Sequence, residues 1–261
     1  MNGQAELIDT LKDDWRSHVA LSHLDNDRWV VKKYLGPPWK TLWYHLVRRT
    51  PAWREWRYAR QLRDAGFRVI DLVALIHDRH WGAWSQVLVA PYMDAPTLKE
   101  WIRRSPPHTE QSQHDRSVRH TVARTVGQQV GMISAAGLVN RDHKVNNILI
   151  DKACESGAKP PLIIDPARVK RRWSQRTVYR TLALLSRTAD QAGPVTLKEK
   201  MIGLRAVLAA DPSLARGARQ RLRYAAAKID RFIREQEFSV ANRKQRGKHV
   251  AAKGRTVAGN R

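Results

Sequence analysis

The chain has one cysteine, Cys154, in 261 residues, so no intrachain disulfide can form and a reducing compartment is expected. No Cys/His spacing of a zinc site appears either. No window approaches the roughly 20 apolar residues that a membrane span needs. The first residues carry Glu6, Asp9, Asp13 and Asp14 rather than a basic start and an apolar core, so an export signal is not expected. These absences point to a cytoplasmic protein. Acidic residues are scarce: 24 Asp and Glu face 48 Lys and Arg, a net charge of +24. Such a chain seeks polyanions, whether nucleic acid, an anionic membrane face, or a phosphorylated or acidic substrate. Charge alone does not choose among them. Glycine is missing between Gly3 and Gly36.

What is present reads as one mixed α+β unit, long enough for two small lobes that share a cleft. Residues 1–14 are polar and are expected to form a flexible terminus. Two strands are expected over 17–24 and 28–34, with Asp25-Asn26-Asp27 as turn chemistry between them. Alternation in the second puts Val30, Lys32 and Tyr34 on one face and Trp29, Val31 and Lys33 on the other. Residues 39–49 space Trp39, Leu42, Trp43, Leu46 and Val47 as a helix, with Lys40, His45, Arg48 and Arg49 beside them. Thr50-Pro51 then starts a helix to about Asp64, which Gly66 stops. Strands are expected over 69–76 and 84–90, with His77-Asp78-Arg79-His80 in the turn between them.

Residues 91–96 read as a connector, 97–104 as a short helix and 105–113 as a loop. A helix over 115–136 carries Val118, Val122, Val126, Val130 and Ile133 on one stripe and ends at Gly137. Residues 151–161 read as a loop and 162–165 as a buried strand. Helices are expected over about 174–190, 196–209 and 213–238. From residue 239 the sequence is polar and basic without an apolar period, a disordered tail.

One stretch stands out. Leu138 to Ile150 reads L-V-N-R-D-H-K-V-N-N-I-L-I, so Asp142, Lys144 and Asn147 precede an apolar strand. Leu162-Ile163-Ile164-Asp165 then ends a second apolar strand in a carboxylate. Phosphoryl transfer needs cations on the triphosphate, metal ions held by carboxylate and amide oxygens, and a carboxylate near the attacking hydroxyl. A strand lysine, Lys32, and a helix glutamate, Glu55, come first in the order that chemistry uses.

On these residues the chain resembles the protein-kinase-like superfamily, and within it the lipopolysaccharide core kinase (Kdo/WaaP) family, over about residues 15–190. Trp29-Val30-Val31-Lys32 is similar to the V-A-I-K strand. Pro51-Ala52-Trp53-Arg54-Glu55-Trp56, followed by Ala65-Gly66-Phe67-Arg68-Val69, resembles the family's R/P-A-x-R-E-W/F segment. Asn140-Arg141-Asp142-His143-Lys144-Val145-Asn146-Asn147 stands where the pattern is H-R-D-L-K-x-x-N, and Asp165-Pro166-Ala167 stands in the D-F-G place.

The resemblance implies a two-lobe fold: a β-rich N-lobe with one main helix over 15–92, a helical C-lobe over 93–238, and the basic tail over 239–261. It implies ATP and Mg2+ as cofactors. Lys32 would hold the α/β-phosphates, and Glu55 would orient Lys32. Val30 would touch the adenine, whose edge would meet the backbone between Ala90 and Met93. Asp142 would take the acceptor's hydroxyl proton, Lys144 would neutralise the γ-phosphate, and Asn147 and Asp165 would ligate magnesium. The implied reaction is phosphorylation of a sugar hydroxyl on a lipopolysaccharide-like acceptor.

The departures are specific. Asn140 replaces a His that braces the D-F-G strand in the superfamily. Pro166-Ala167 replace Phe-Gly, no glycine-rich loop precedes Lys32, and no A-P-E segment follows Asp165. A regulated activation loop is therefore not expected. An atypical Ser/Thr protein kinase, or a catalytically weak pseudokinase serving as a basic membrane- or nucleic-acid-binding module, stay open as alternatives. No nucleic-acid recognition motif appears. Residues 39–49 and the basic tail suit an anionic membrane surface, which would place the protein peripherally on the inner face of the cytoplasmic membrane.

Overall fold

A computed structural model describes residues 6–14, 17–24, 27–34, 50–80, 83–106, 108–172 and 174–214, and parts of 220–235. The expected helix at 39–49, most of the one at 213–238 and the tail from 239 lie outside the described residues, although 226–231 are helical.

The N-terminal lobe is one antiparallel sheet. Its strands are β1 (Glu6–Asp14), β2 (Ser17–Leu24), β3 (Asp27–Tyr34), β4 (Ala74–His80) and β5 (Ala83–Pro91), in the order β1-β2-β3-β5-β4. β2 and β3 fall where alternation placed them. Residues 6–14 were expected to lack structure and instead pair with β2 along their whole length. The ladder slips between Leu7 and Asp9 and again between Thr10 and Lys12. Each bulge breaks the period of two, so the polar edge strand carries no alternation to read. β4 also begins later than expected and runs through His77–His80. The start of that apolar run is used elsewhere. Val69 bridges to Ile163 in the other lobe, and Ile70 N–H donates to Ile163 O at 2.8 Å.

α1 (Pro51–Asp64) begins as its sequence demands: Thr50 Oγ1 accepts from Trp53 N–H at 3.2 Å and Pro51 needs no N–H partner. Ala52, Glu55, Ala59 and Leu62 form its buried stripe. Three of them are apolar and pack with Leu88 and Ala90 of β5 in a core that also takes Ile133, Leu138, Ile163 and Val169 of the other lobe. Glu55 is the exception on that face. Gly66, at φ +80, ends the helix in the left-handed region.

After Pro91 a short link leads to the helical lobe. Its helices include α2 (Leu98–Arg104), α3 (Gln113–Ala135), α4 (Lys152–Glu155), α5 (Gln175–Ala192) and α6 (Leu197–Ala210). Capping boxes at Thr97/Glu100, Ser112/Asp115 and Thr196/Glu199 start α2, α3 and α6. Val122, Val126, Val130 and Ile133 are buried on α3 as expected. α4 falls in the expected 151–161 loop and is capped by Asp151, whose carboxylate accepts from Cys154 N–H at 2.9 Å. α3 and α6 approach so closely that a Cβ on Gly127 would lie 2.2 Å from Gly203 O. Short strands β6 (Leu138–Asn140), β7 (Ile148–Leu149), β8 (Leu162–Ile163) and β9 (Val169–Arg171) pair as β6 with β9 and β7 with β8. These two ladders hold the loop that carries Asp142.

Candidate active site

Strand parity decides the first half of the site. Lys32 and Tyr34 leave β3 on the same face, and both meet Glu55 of α1. Lys32 Nζ lies 2.8 Å from Glu55 Oε2, and the Tyr34 hydroxyl donates to that same oxygen. Lys32 Nζ is also 3.6 Å from Asp165 Oδ2. Lys33, one residue on, is exposed. Burial works against the Lys32 ammonium, but Glu55 and Asp165 outweigh it and hold the amine protonated above its usual range. Burial pushes the Glu55 carboxyl up against the pull of Lys32. Burial also raises Tyr34, with Glu55 and Asp165 adding to it, so the phenol stays a proton donor.

The second half is the loop between β6 and β7. Asn140 Oδ1 accepts from Asp142 N–H at 3.1 Å. Asn147, in a 3-10 turn over Val145–Asn147, donates from Nδ2 to Asp142 O at 2.9 Å and to Asp142 Oδ2 at 3.3 Å. Lys144 Nζ sits 3.3 Å from Asp142 Oδ2. Asp142 is therefore gripped from both sides. Ile148 pairs with Ile163, and one step further Ile164 N–H donates to Asn147 O at 3.1 Å. That register brings Asn147 beside the strand end bearing Asp165, whose Oδ1 accepts from Ala167 N–H at 3.4 Å.

Asn147 spends its amide nitrogen on Asp142, which leaves Oδ1 as an acceptor. An amide oxygen and a carboxylate form a donor set for a hard cation. Among the described residues no cluster of three or more His, Cys, Asp or Glu side chains could hold a metal. A hard cation that keeps waters and takes phosphate oxygens needs few protein oxygens.

At the link, Val30 pairs with Ala90 across β3 and β5. Ala90 is buried, and Val30 and Met93 are half-buried. Met93 O accepts from Ala95 N–H at 2.8 Å, so that carbonyl is engaged within the link itself. Arg68, between α1 and β4, forks onto Asp151, with Nη1 to Oδ1 at 3.1 Å and Nη2 to Oδ2. That ion pair and the Val69–Ile163 bridge tie the N-lobe to the strands flanking Asp142.

The structure thus groups Lys32, Glu55 and Asp165, and separately Asp142, Lys144 and Asn147, with the β7–β8 ladder joining the two groups. Two residues of this region were not singled out from sequence as site residues. Tyr34 shares the Lys32 face, and that shared face was its signal. His143 is 1% exposed between Asp142 and Lys144, and burial pushes its imidazole down to about 4. Nothing in the spacing marks a buried ring there.

Comparison with known proteins follows the same lines. No curated protein matches the sequence. Among solved structures the chain is similar to "WaaP in complex with acyl carrier protein", at 20% identity over 87% of each chain and a TM-score of 0.61. It is also similar to the BubR1 kinase domain, at 11% identity over 88% of this chain and 85% of that one, with a TM-score of 0.52. At these identities the likeness establishes the protein-kinase-like fold. The sequence itself matches the lipopolysaccharide kinase (Kdo/WaaP) family across residues 5–201, and the chain belongs to that family.

Proposed function

We propose that this kinase transfers the γ-phosphoryl group of ATP, with Mg2+, to a sugar hydroxyl of a lipopolysaccharide-type glycolipid. The observation that carries the reading is the contact of Lys32 with both Glu55 and Asp165, because it joins a phosphate-binding cation to a metal-binding carboxylate in one cleft. Lys32 binds the α/β-phosphates, and Glu55, supported by Tyr34, fixes its position. Val30 and the backbone from Ala90 to Met93 receive the adenine. Asp142 accepts the acceptor hydroxyl's proton as the oxygen attacks phosphorus. Lys144, beside Asp142, offsets charge on the transferring group. Asn147 Oδ1 and the Asp165 carboxylate hold the magnesium, which when bound neutralises charge between the phosphates. The lobes divide at residues 92–93.

The acceptor is anionic, and a chain of net charge +24 favours its approach. No helix among the described residues is long and apolar enough to cross a membrane. An acyl carrier protein is a second partner we infer, since the WaaP structure contains one. An apolar groove of about 320 Å3 between α2, α3, α5 and α6, lined by Ile102, Val126, Leu185 and Leu204, suits an acyl chain.

The test is ATP turnover on lipopolysaccharide acceptors by the wild type, Asp142→Ala and Asp165→Ala. Loss of a positioned base costs on the order of 10²-fold or more. Equal turnover in all three proteins overturns the reading. Transfer to protein rather than glycolipid would favour a Ser/Thr kinase.

A further inference from the structure

Asn140 stands where the H-R-D-L pattern has its ring, and His143 stands where that pattern has Leu. The imidazole is therefore present, three residues later. Both side chains are buried, Asn140 at 2% exposure and His143 at 1%. Among the described residues neither Asn140 Nδ2 nor either ring nitrogen of His143 has a hydrogen-bond partner. Buried polar atoms without partners are costly, and native interiors satisfy nearly all of them. Asn140 and His143 line one small cavity. It lies under the loop, walled by Val130, Ile133 and Ser134 of α3 and by Val178 and Thr181 of α5, and its volume is about 10 Å3. That is the least space that admits one water.

We propose that this cavity binds a single structural water, which accepts from Asn140 Nδ2 and donates to the unprotonated ring nitrogen of His143. The Asn140–water–His143 unit then braces the turn of backbone that carries Asp142. The water's own bonds are accounted for: it accepts from Asn140 Nδ2, donates one proton to the bare ring nitrogen, and has the Thr181 oxygen on the same wall for the other, while the ring N–H stays outside the unit. The brace bears on catalysis through two bonds. Asn140 Oδ1 holds Asp142 N–H, and the His143 backbone N–H donates to Asn140 O at 3.3 Å. Asn140 and His143 are positioning residues: they fix the backbone that carries Asp142 and touch no reacting atom. This inference rests on Asp142 being the catalytic carboxylate.

The test is a double-mutant cycle with Asn140→His, His143→Leu and the pair together, which restores the H-R-D-L order. His143→Leu removes the water's acceptor and leaves Asn140 Nδ2 unpaired. Asn140→His forces a second ring into filled space. Each single variant is expected to lower kcat about tenfold with little change in the KM for ATP, as for a broken coupled pair. The double variant is expected to recover most of that loss. His143→Gln, which keeps a polar end, serves if His143→Leu does not fold. Independently of turnover, a high-resolution crystal structure should show one water between Asn140 Nδ2 and His143. Nitrogen-15 shifts of the His143 ring should report a neutral tautomer with one hydrogen-bonded nitrogen. A dry cavity, or single-variant losses that simply add in the double variant, overturns the proposal. A wild type without kinase activity but with the ordered water would instead count against the functional reading.

Discussion

Lys32 and Glu55 meet at 2.8 Å, and Glu55 is the more deeply enclosed, its side chain 2% exposed against 19% for Lys32. A carboxylate held that far from water survives only because cations and hydroxyls meet it. Glu55→Gln keeps the shape and removes the charge. Lys32 is then left with Asp165 and is drawn toward it. Misplacing a phosphate-binding group by about an ångström costs on the order of 10²-fold in rate. Phosphotransfer by Glu55→Gln should fall by that amount. Lys33→Ala, on the exposed face of the same strand, should leave it unchanged. Equal effects of the two substitutions would contradict the assignment of Lys32.

Tyr34 tests the same cluster with less damage. Tyr34→Phe keeps the ring, whose centroid is 5.0 Å from Lys32 Nζ, and removes only the donor to Glu55. A hydrogen bond to a charged group is worth about 1.5–3 kcal/mol. Urea unfolding should show a loss of that size, and kcat/KM for ATP should drop about tenfold with it. Unaltered stability and turnover would mean that Glu55 does not rely on the phenol.

The parts of this site legible in the sequence were those fixed by local rules. Parity on β3 separated Lys32 from Lys33, and the cap at Thr50-Pro51 set the start of α1 and so the place of Glu55. The spacing of Asp142, Lys144 and Asn147 was readable because one loop holds all three. The parts that were not legible depend on partners distant in the chain. β1 exists because β2 offers an edge, and its bulges erase alternation. The run from Val69 to Ile76 gives no sign that its first residues pair with Ile163 while its last ones enter the sheet. His143 packs against α5 as well as α3, and α5 lies far along the chain from it.

Helix packing gives a stability prediction away from the cleft. A methyl on Gly127 would lie 2.2 Å from Gly203 O, a backbone atom that cannot rotate aside. A methyl on Gly203 would meet Ala123 O at 3.2 Å, a contact that a small shift relieves. Gly127→Ala should therefore destabilise by about 1–3 kcal/mol through overpacking, and Gly203→Ala by less. Thermal melts of the two variants rank them. The reverse order would mean that α3 and α6 do not cross as described.

Acid stability should be governed by buried ion pairs of the helical lobe. Burial raises the Glu199 carboxyl, but hydrogen bonds from Arg119 and from Thr196 N–H outweigh it and hold it below the usual range. Burial likewise opposes Asp211, which the Ser134 and Ser213 hydroxyls and Arg172 hold low. A depressed carboxylate binds fewer protons folded than unfolded, so its stabilisation is present above the ordinary values of 4.5 and 3.8 and is lost as pH falls through the folded ones. The wild type should lose stability on acidification below those values. Glu199→Gln leaves Arg119, 5% exposed, without its counter-charge and should cost about 3 kcal/mol at pH 7. Its curve should then fall less steeply on acidification, because one of the groups that must be protonated is gone. Urea unfolding of both proteins from pH 7 to pH 3 measures this, and parallel curves would mean that the Arg119–Glu199 pair does not set the acid limb.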